Sequence, residues 1–523
     1  MDPSLPRVTY SNIGADFSGV QKILGERIDK ISATLGQFHP NRIAGRDAAT
    51  PVRYDAQSPI DRRITLGSFV RTDADGVASA VAAARGAARG WARLPWRGRV
   101  QVLRNVARAL DAQKYDLASV CLLEVGKSRM EAMGEVEEAI DLIAYYCDEM
   151  ERNDGYVRPL RRVFERESTC DVLREVGVFG VIVPFNFPVA LAVGMLTGAL
   201  LGGNTVVFKP SPYAGLTGSW IERLFREGGL PDGVLNLICG DGATGQAMLD
   251  HPGIDGFAFI GSHKVGMHIL RTVAAGRYNR PVIVEMGGKN PTYVSRHAAL
   301  DTAAEGVMRS AFGLQGQKCS SGSKVYVHER VFDDFMQRLT ARSAALKVGS
   351  PVDPNVFVGP VIDGKAAARF YEACAAARTD GCLVLGGERL SGDAYEHGSY
   401  LPPTIVAGLP AGHWINKDEL FVPLLSVQRF NELEAAIDDG NDIAYGLTAG
   451  IYTEDASELD LFLERAQAGA LYANRASGAT TGAWPGVQTF CGWKGSGTTG
   501  KGGLGPYYVP QFMREQSHTL MGR

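Results

Sequence analysis

The 523-residue sequence has no long run of one charge sign, and its 54 Lys and Arg against 57 Asp and Glu leave a formal net charge of -3. Proteins that bind nucleic acids or membrane surfaces carry a concentrated electrostatic footprint, so neither partner class is expected. The eight cysteines form no CxxC pair, and no Cys/His cluster has zinc-ligand spacing, so no metal is expected. A chain of this size does not depend on disulfides, so reduced thiols and a cytoplasmic location are the expectation. Residues 1–10 contain Asp2, two prolines and no apolar stretch, and do not read as a secretory signal. One absence points the other way. Residues 176–208 carry no charge at all, enough length to suggest a membrane span. Pro184, Asn186 and Pro188 near one end, with Gly202, Gly203 and Asn204 near the other, break that run into strand, tight loop, short helix and strand.

What is present is ordinary globular material, 45% hydrophobic and 21% charged, in a chain long enough for two or three domains. Strands at 176–183 and 205–208 lack polar alternation, as in a parallel sheet covered on both faces. Helical patterns run over 75–113, 116–150, about 189–201 and 215–226, with further strands at 234–238 and 257–260. This alternation predicts a doubly wound α/β domain. Residues 154–173 differ, alternating Val, Arg and Phe with charges as a two-stranded excursion would. The second half opens on a strand at 282–285, and a glycine-rich stretch at 492–505 leads to a strand-like 507–512.

Several motifs could carry chemistry. Gly240–Gly245 fits GxGxxG between a strand and a helix, but no acid follows where a ribose would need one, and 63 glycines make chance matches common. A glycine turn beside a cofactor is the other reading. Lys209 ends a buried strand before Pro210, where ligands of open α/β sheets bind; it could equally be a lysine reaching out to solvent. Gly261 and Ser262 stand at a predicted helix start, offering N–H groups to a phosphate. Cys319 sits in a polar, glycine-flanked loop beside Lys318, a setting that favours a thiolate, with an inert surface thiol as the alternative. Glu285 follows an apolar strand and precedes two glycines; burial there would raise its pKa towards that of a general base.

Taken together, Val284–Lys289, Gly316–Cys319, Pro184–Pro188, Phe208–Pro210 and Phe259–Ser262 resemble the signature blocks of the aldehyde dehydrogenase superfamily, over the chain from about residue 40 to its end. The resemblance implies two doubly wound Rossmann-type domains plus a small β oligomerisation module. The implied division is residues 1–153 and 174–283 for the cofactor, 284–490 for catalysis, and 154–173 with 505–523 for assembly into a homodimer or higher oligomer. It implies that Cys319 attacks the aldehyde, that Asn186 and the Cys319 N–H stabilise the oxyanion, and that Glu285 activates the water that hydrolyses the thioester. Lys209, Pro210, Ser211, Gly242, Gly261, Ser262, Glu419 and Phe421 are the implied cofactor contacts. Pro212 stands where many members carry an acid that grips the adenine ribose, so NAD or NADP is expected, with NAD favoured.

Within the superfamily the chain is most similar to the 1-pyrroline-5-carboxylate (L-glutamate γ-semialdehyde) dehydrogenases, through 311–320, Glu138–Asp141, 123–127, the loop Thr481–Ala483 and 496–501. This implies a substrate α-carboxylate held by Ser320, Gly482 and Ala483, an amine facing Glu138, and an aliphatic chain between Phe185 and Phe490, with Lys318 alongside. Trp484 and Pro485 stand where smaller aliphatic residues are expected, Val422 replaces a common glycine, and Cys491 replaces the first glycine of the usual Phe-Gly-Gly block. Oxidation of another semialdehyde or of an aliphatic or aromatic aldehyde, transfer to coenzyme A, and a non-catalytic binding role are the alternatives.

Overall fold

The computed structural model describes residues 6–12, 15–476 and 482–522. Its first half is built on a seven-stranded sheet in the order Val282–Met286, Gly256–Gly261, Val178–Ile182, Thr205–Lys209, Leu235–Leu237, Asn41–Ile43 and Arg46–Ala48. The first five strands are parallel, and Asn41–Ile43 pairs antiparallel with both of its neighbours. Side chains of a strand point alternately to opposite faces, and both faces here are apolar. Phe179, Val181, Val206 and Phe208 pack on one side with Leu103, Ile143, Leu196 and Phe225. Val178, Val207, Phe257 and Phe259 pack on the other with Val77, Val81, Met248 and Ile269. The uncharged stretch is therefore interior. Its helix, Ala190–Leu201, is buried on nearly all sides, and no helix of the described residues is long and apolar enough to cross a membrane.

The two long helical patterns each divide. Ala74–Arg93 stops ahead of Pro95 and restarts as Trp96–Ala112, because proline removes an N–H and disfavours helical backbone in the residue before it. Lys114–Val125 ends at Gly126, whose φ of 74 closes the helix, and Arg129–Arg152 follows.

A second seven-stranded sheet runs Cys382–Leu385, Thr404–Ala407, Leu424–Phe430, Gly322–His328, Asn290–Val294, Thr448–Tyr452 and Ala470–Ala473. It is parallel except for its first strand. The strand Val282–Met286 pairs with Gly256–Gly261, so a division at residue 284 falls inside the first sheet and the chain changes sheets at Gly287–Gly288. A separate three-stranded sheet joins Val157–Pro159, Glu167–Glu175 and Met513–Met521. The last strand thus begins after the strand-like stretch at 507–512, where Val509–Phe512 is a short 3-10 turn.

Candidate active site

In parallel sheets, ligands collect where strands end, and the register here brings several candidates to one edge. Ile182 pairs with Lys209, and Ile260 with Glu285. Asn186, Lys209, Gly261, Ser262 and Glu285 therefore emerge together.

The cofactor side is built first. Lys209 does not reach out to solvent. It is buried, and its Nζ donates to the carbonyls of Pro210 and Gly240, each at 3.1 Å, while burial lowers its pKa to about 8. Pro210 is wedged against Gly218, where a Cβ would lie 2.6 Å from its ring, and the Ser211 hydroxyl accepts from Tyr213 N. Two helix starts compete for a phosphate. At Gly242–Asp250 the Asp241 carboxylate accepts from Ala243 N and pairs with Arg71 at 3.1 Å, so a second anion there meets a negative charge. At His263–Ala274, Ser262 caps through Val265 N and the first turn holds no acid, which leaves that N-terminus open to an anion. Glu419 reaches this area from the second sheet: its Oε1 accepts from Gly288 N at 3.1 Å, and burial raises its carboxyl to about 7. Phe421, with φ 58, meets the edge of Phe185 at 6.0 Å. This buried ammonium, free helix start and carboxylate along one strand edge fit a dinucleotide.

The nucleophile loop follows the helix Leu300–Phe312. Leu314, Gln315 and Gly316 are all left-handed, with φ 47, 56 and 68, a costly run for the two non-glycine residues. Gly316 is required there, since a Cβ would lie 2.3 Å from the Val422 carbonyl. Buried hydrogen bonds hold the loop. Glu131 Oε1 accepts from Leu314 N at 2.8 Å, and Gln317 Oε1 accepts from Ile362 N at 2.9 Å. Asn186 Nδ2 donates to the Gln317 carbonyl at 3.0 Å, which ties the amide to the Cys319 loop and leaves a second N–H that no described residue is shown to take. Asn290 Nδ2 donates to the carbonyls of Cys319 and Ser321 at 2.7 and 2.9 Å, and its Oδ1 accepts from Thr448 N at 3.0 Å. Motif reading missed Asn290 and Glu131. Their signal was only a polar residue directly after the Glu-Met-Gly-Gly-Lys block and an acid in the first turn of a helix.

The electrostatics correct one expectation. Lys318 is not among the main influences on Cys319. It is buried, its Nζ lies against Gly313 with Glu131 as the nearest acid, and burial lowers its own pKa. Burial first, then the charges of Glu419 and Glu285, push the Cys319 thiol up to about 12. Raised this far, the Cys319 thiol could act as a nucleophile only with a base to take its proton. Glu285 is suited to that: burial raises it to about 7, and its Oε1 is buried with no hydrogen-bond partner among the described residues. Its strand is strapped by 496–498, where Met286 N donates to Ser496 O at 2.8 Å and Thr498 N to Val284 O at 3.2 Å.

On the aldehyde side, Ser320 is half-buried beside the nucleophile, and Phe185, Phe490 and Ala483 pack on the first core. Phe490 N donates to Gly503 O at 3.0 Å. Gly482 stands by Arg475, whose Nη1 would lie 3.2 Å from a Cβ there. Trp484 turns its Nε1 to Asp141 Oδ2 at 2.8 Å, and Glu138 is buried, accepting from Tyr10. Thr481 lies outside the described residues. All eight cysteines are free thiols.

Residues 47–517 match the model of the aldehyde dehydrogenase family, and the chain belongs to that family. It is accordingly a nicotinamide-dependent oxidoreductase acting on aldehydes. It is similar to 1-pyrroline-5-carboxylate dehydrogenase 1 of Halalkalibacterium halodurans, 32% identical over 96% of each chain. A 1-pyrroline-5-carboxylate dehydrogenase from Thermus, solved with bound NAD, has a TM-score of 0.92 at 31% identity, with 100% of each chain covered. Proline utilization A of Bdellovibrio bacteriovorus gives 0.91 at 31% identity, covering 96% of this chain and 52% of that one, so this chain spans about half of that longer protein.

Proposed function

We propose that the chain oxidises L-glutamate γ-semialdehyde, the open form of 1-pyrroline-5-carboxylate, to L-glutamate, as a step of proline breakdown. The observation that carries the hydrolytic mechanism is Glu285: a buried carboxyl held near neutrality with one oxygen unspent. Glu285, directly or through water, takes the Cys319 proton, and the thiolate adds to the aldehyde carbon to give a thiohemiacetal. The Asn186 amide and the Cys319 N–H share the oxyanion charge, donors fixed before the charge develops. NAD(P)⁺, when bound, supplies the hydride acceptor, and Lys209, Pro210, Ser211, Gly242, Gly261, Ser262, Glu419 and Phe421 are the residues that would hold it. The thioester left on Cys319 is hydrolysed by water that Glu285 deprotonates. The same base argues against transfer to coenzyme A. Ser320 with the Gly482 and Ala483 N–H groups would take the α-carboxylate, Glu138 the amine, and Phe185 and Phe490 the aliphatic chain.

We further infer assembly into a homodimer or higher oligomer through the three-stranded sheet, supported by exposed Val157, Leu160, Val163, Phe164, Leu520 and Met521 on and beside it. A cytoplasmic setting agrees with the free thiols.

The test is steady-state NAD(P)H formation on glutamate semialdehyde against uncharged aliphatic aldehydes of similar length, with NAD and NADP in parallel. A preference of more than about a hundredfold for the semialdehyde is expected, as for a site built to pair a substrate's polar groups. Comparable kcat/KM values would sink the substrate assignment, and an acyl-coenzyme A product would sink hydrolysis. Cys319→Ala should abolish turnover on every aldehyde.

A further inference from the structure

One stretch of the helix Arg129–Arg152 presents Glu137, Glu138 and Asp141, and each is engaged by a residue far away in sequence. Arg7 Nη2 lies 2.9 Å from both Glu137 and Asp141. Tyr10 Oη donates to Glu138 Oε2 at 2.8 Å, and Trp484 Nε1 donates to Asp141 Oδ2 at 2.8 Å. The two aromatic rings also meet each other, edge to face at 5.5 Å and 80°. Tyr10 meets Phe187 in the same way at 6.3 Å. Phe187 directly follows the oxyanion donor Asn186.

This arm is built in place rather than laid on the surface. Asn12 Oδ1 accepts from Thr9 N at 2.7 Å, and its Nδ2 donates to Arg7 O at 2.9 Å, closing a compact knot. Val8 is 1% exposed and joins the main core. Gly134, one turn before Glu138, lets the phenol approach the helix: a Cβ there would lie 3.1 Å from Tyr10 Cε1. Tyr10 thus touches both members of the aldehyde-side wall. It bonds to Glu138 directly, and it braces Trp484, the residue that follows Gly482 and Ala483.

We propose that Tyr10 is a specificity-determining positioning residue, whose phenol orients the Glu138 carboxylate for a substrate α-ammonium while its ring fixes the Gly482–Ala483 wall through Trp484. A buried carboxylate is costly: burial carries Glu138 up to about 7 even against the hydrogen bond from Tyr10, which is the largest opposing influence. A donor at one oxygen satisfies part of the acceptor capacity and leaves the other oxygen for the ammonium. The inference rests on the proposed amino-acid semialdehyde substrate.

The test compares L-glutamate γ-semialdehyde with 5-oxopentanoate, which has the same chain and carboxylate but no amine. In Tyr10→Phe the ratio of the two kcat/KM values should fall about ten- to a hundredfold, what a hydrogen bond to a charged group is worth, and the change should appear in KM rather than kcat. Glu138→Gln should lower the same ratio, and the double variant should add little to Glu138→Gln alone, because the two act as one unit. A ratio in Tyr10→Phe within twofold of the wild type, or equal losses on both substrates, overturns the role of Tyr10. A wild-type ratio near one overturns the substrate assignment as well. Thermal unfolding of each variant separates either result from a loss of fold.

Discussion

The loop that carries Cys319 and the strand end that carries Glu285, its proposed base, are built in opposite ways. Around Cys319, Asn290 binds the Cys319 and Ser321 carbonyls, Asn186 the Gln317 carbonyl, Glu131 the Leu314 N–H and Gln317 the Ile362 N–H. These bonds over-determine a backbone that carries two left-handed non-glycine residues. At Glu285 the strand is fixed by its neighbours and the carboxyl accepts from the Gly503 backbone, but it is only half matched: Oε1 is buried with no partner among the described residues. A buried polar atom left unmatched costs stability, and such groups cluster where protons move. Position is bought where an attack angle must be held, and left unsatisfied where a group must change its charge.

The sharpest way to break that contrast is Glu285→Gln. If the carboxyl serves proton transfer alone, kcat should fall by about 10²–10⁴-fold, the range of a positioned acid–base group. The wild-type rate should rise with pH through about 7, because the working form of the base is unprotonated and burial has raised its pKa to that value. The limb should vanish in the variant. Stability should move the other way or not at all, since a neutral amide replaces a buried carboxyl; a fall in Tm alongside the rate would show that Glu285 is structural. Linkage has the same sign. A carboxyl raised by folding binds its proton more tightly in the folded state, so its burial costs nothing below the unfolded pKa and destabilises increasingly as pH rises towards 7.

Asn290→Ala probes the other half. It removes two donors to the loop and leaves the carbonyls of Cys319 and Ser321 and the Thr448 N–H without their partner. Denaturant unfolding should show a loss of about 2–4 kcal/mol, the scale of stranding several buried polar groups, with kcat lowered as well. Stability and rate fall together here, whereas Glu285→Gln separates them. An Asn290→Ala enzyme with wild-type stability would mean that the left-handed turn holds itself.

How far the sequence revealed this follows the same division. The strand ends carrying Lys209, Ser262 and Glu285 were readable because apolar runs ending in glycine, proline or a lone charge mark where a parallel strand stops. Cys319 and Glu285 stand out together as candidates once the blocks around them are set side by side. The pKa of Cys319 was not readable, because an adjacent Lys318 in sequence says nothing of where its ammonium points. The bonds from Asn290 and Glu131 join residues distant in sequence, as do those from Tyr10 to Glu138 and Trp484 to Asp141, and no local pattern announces them. The helix breaks at Pro95 and Gly126 were written in the residues but overridden by a strong helical period on either side. The last strand was placed too early because the apolar 507–512 packs as a turn, while the strand that follows is largely exposed on its polar positions.

Lys209 offers the mildest perturbation, and one that tests whether the cofactor edge belongs with the rigid loop or the unsatisfied base. Two of its three N–H donors are taken by carbonyls, those of Pro210 and Gly240, so by hydrogen bonding it resembles the loop. Its pKa, lowered to about 8 by burial, makes it resemble the base. Lys209→Met keeps most of the side-chain volume and removes both donors. If the lysine chiefly ties the Gly240 turn to the strand end, the variant should lose stability and bind NAD and NADP about equally less well. If it chiefly meets the cofactor, KM for the cofactor should rise about three- to tenfold, a loss of roughly 0.7–1.4 kcal/mol, with kcat little altered. We expect the second result, with a smaller change in unfolding free energy than Asn290→Ala produces. The reason is that Lys209→Met strands two carbonyls, whereas Asn290→Ala strands two carbonyls and an N–H that together hold a left-handed turn.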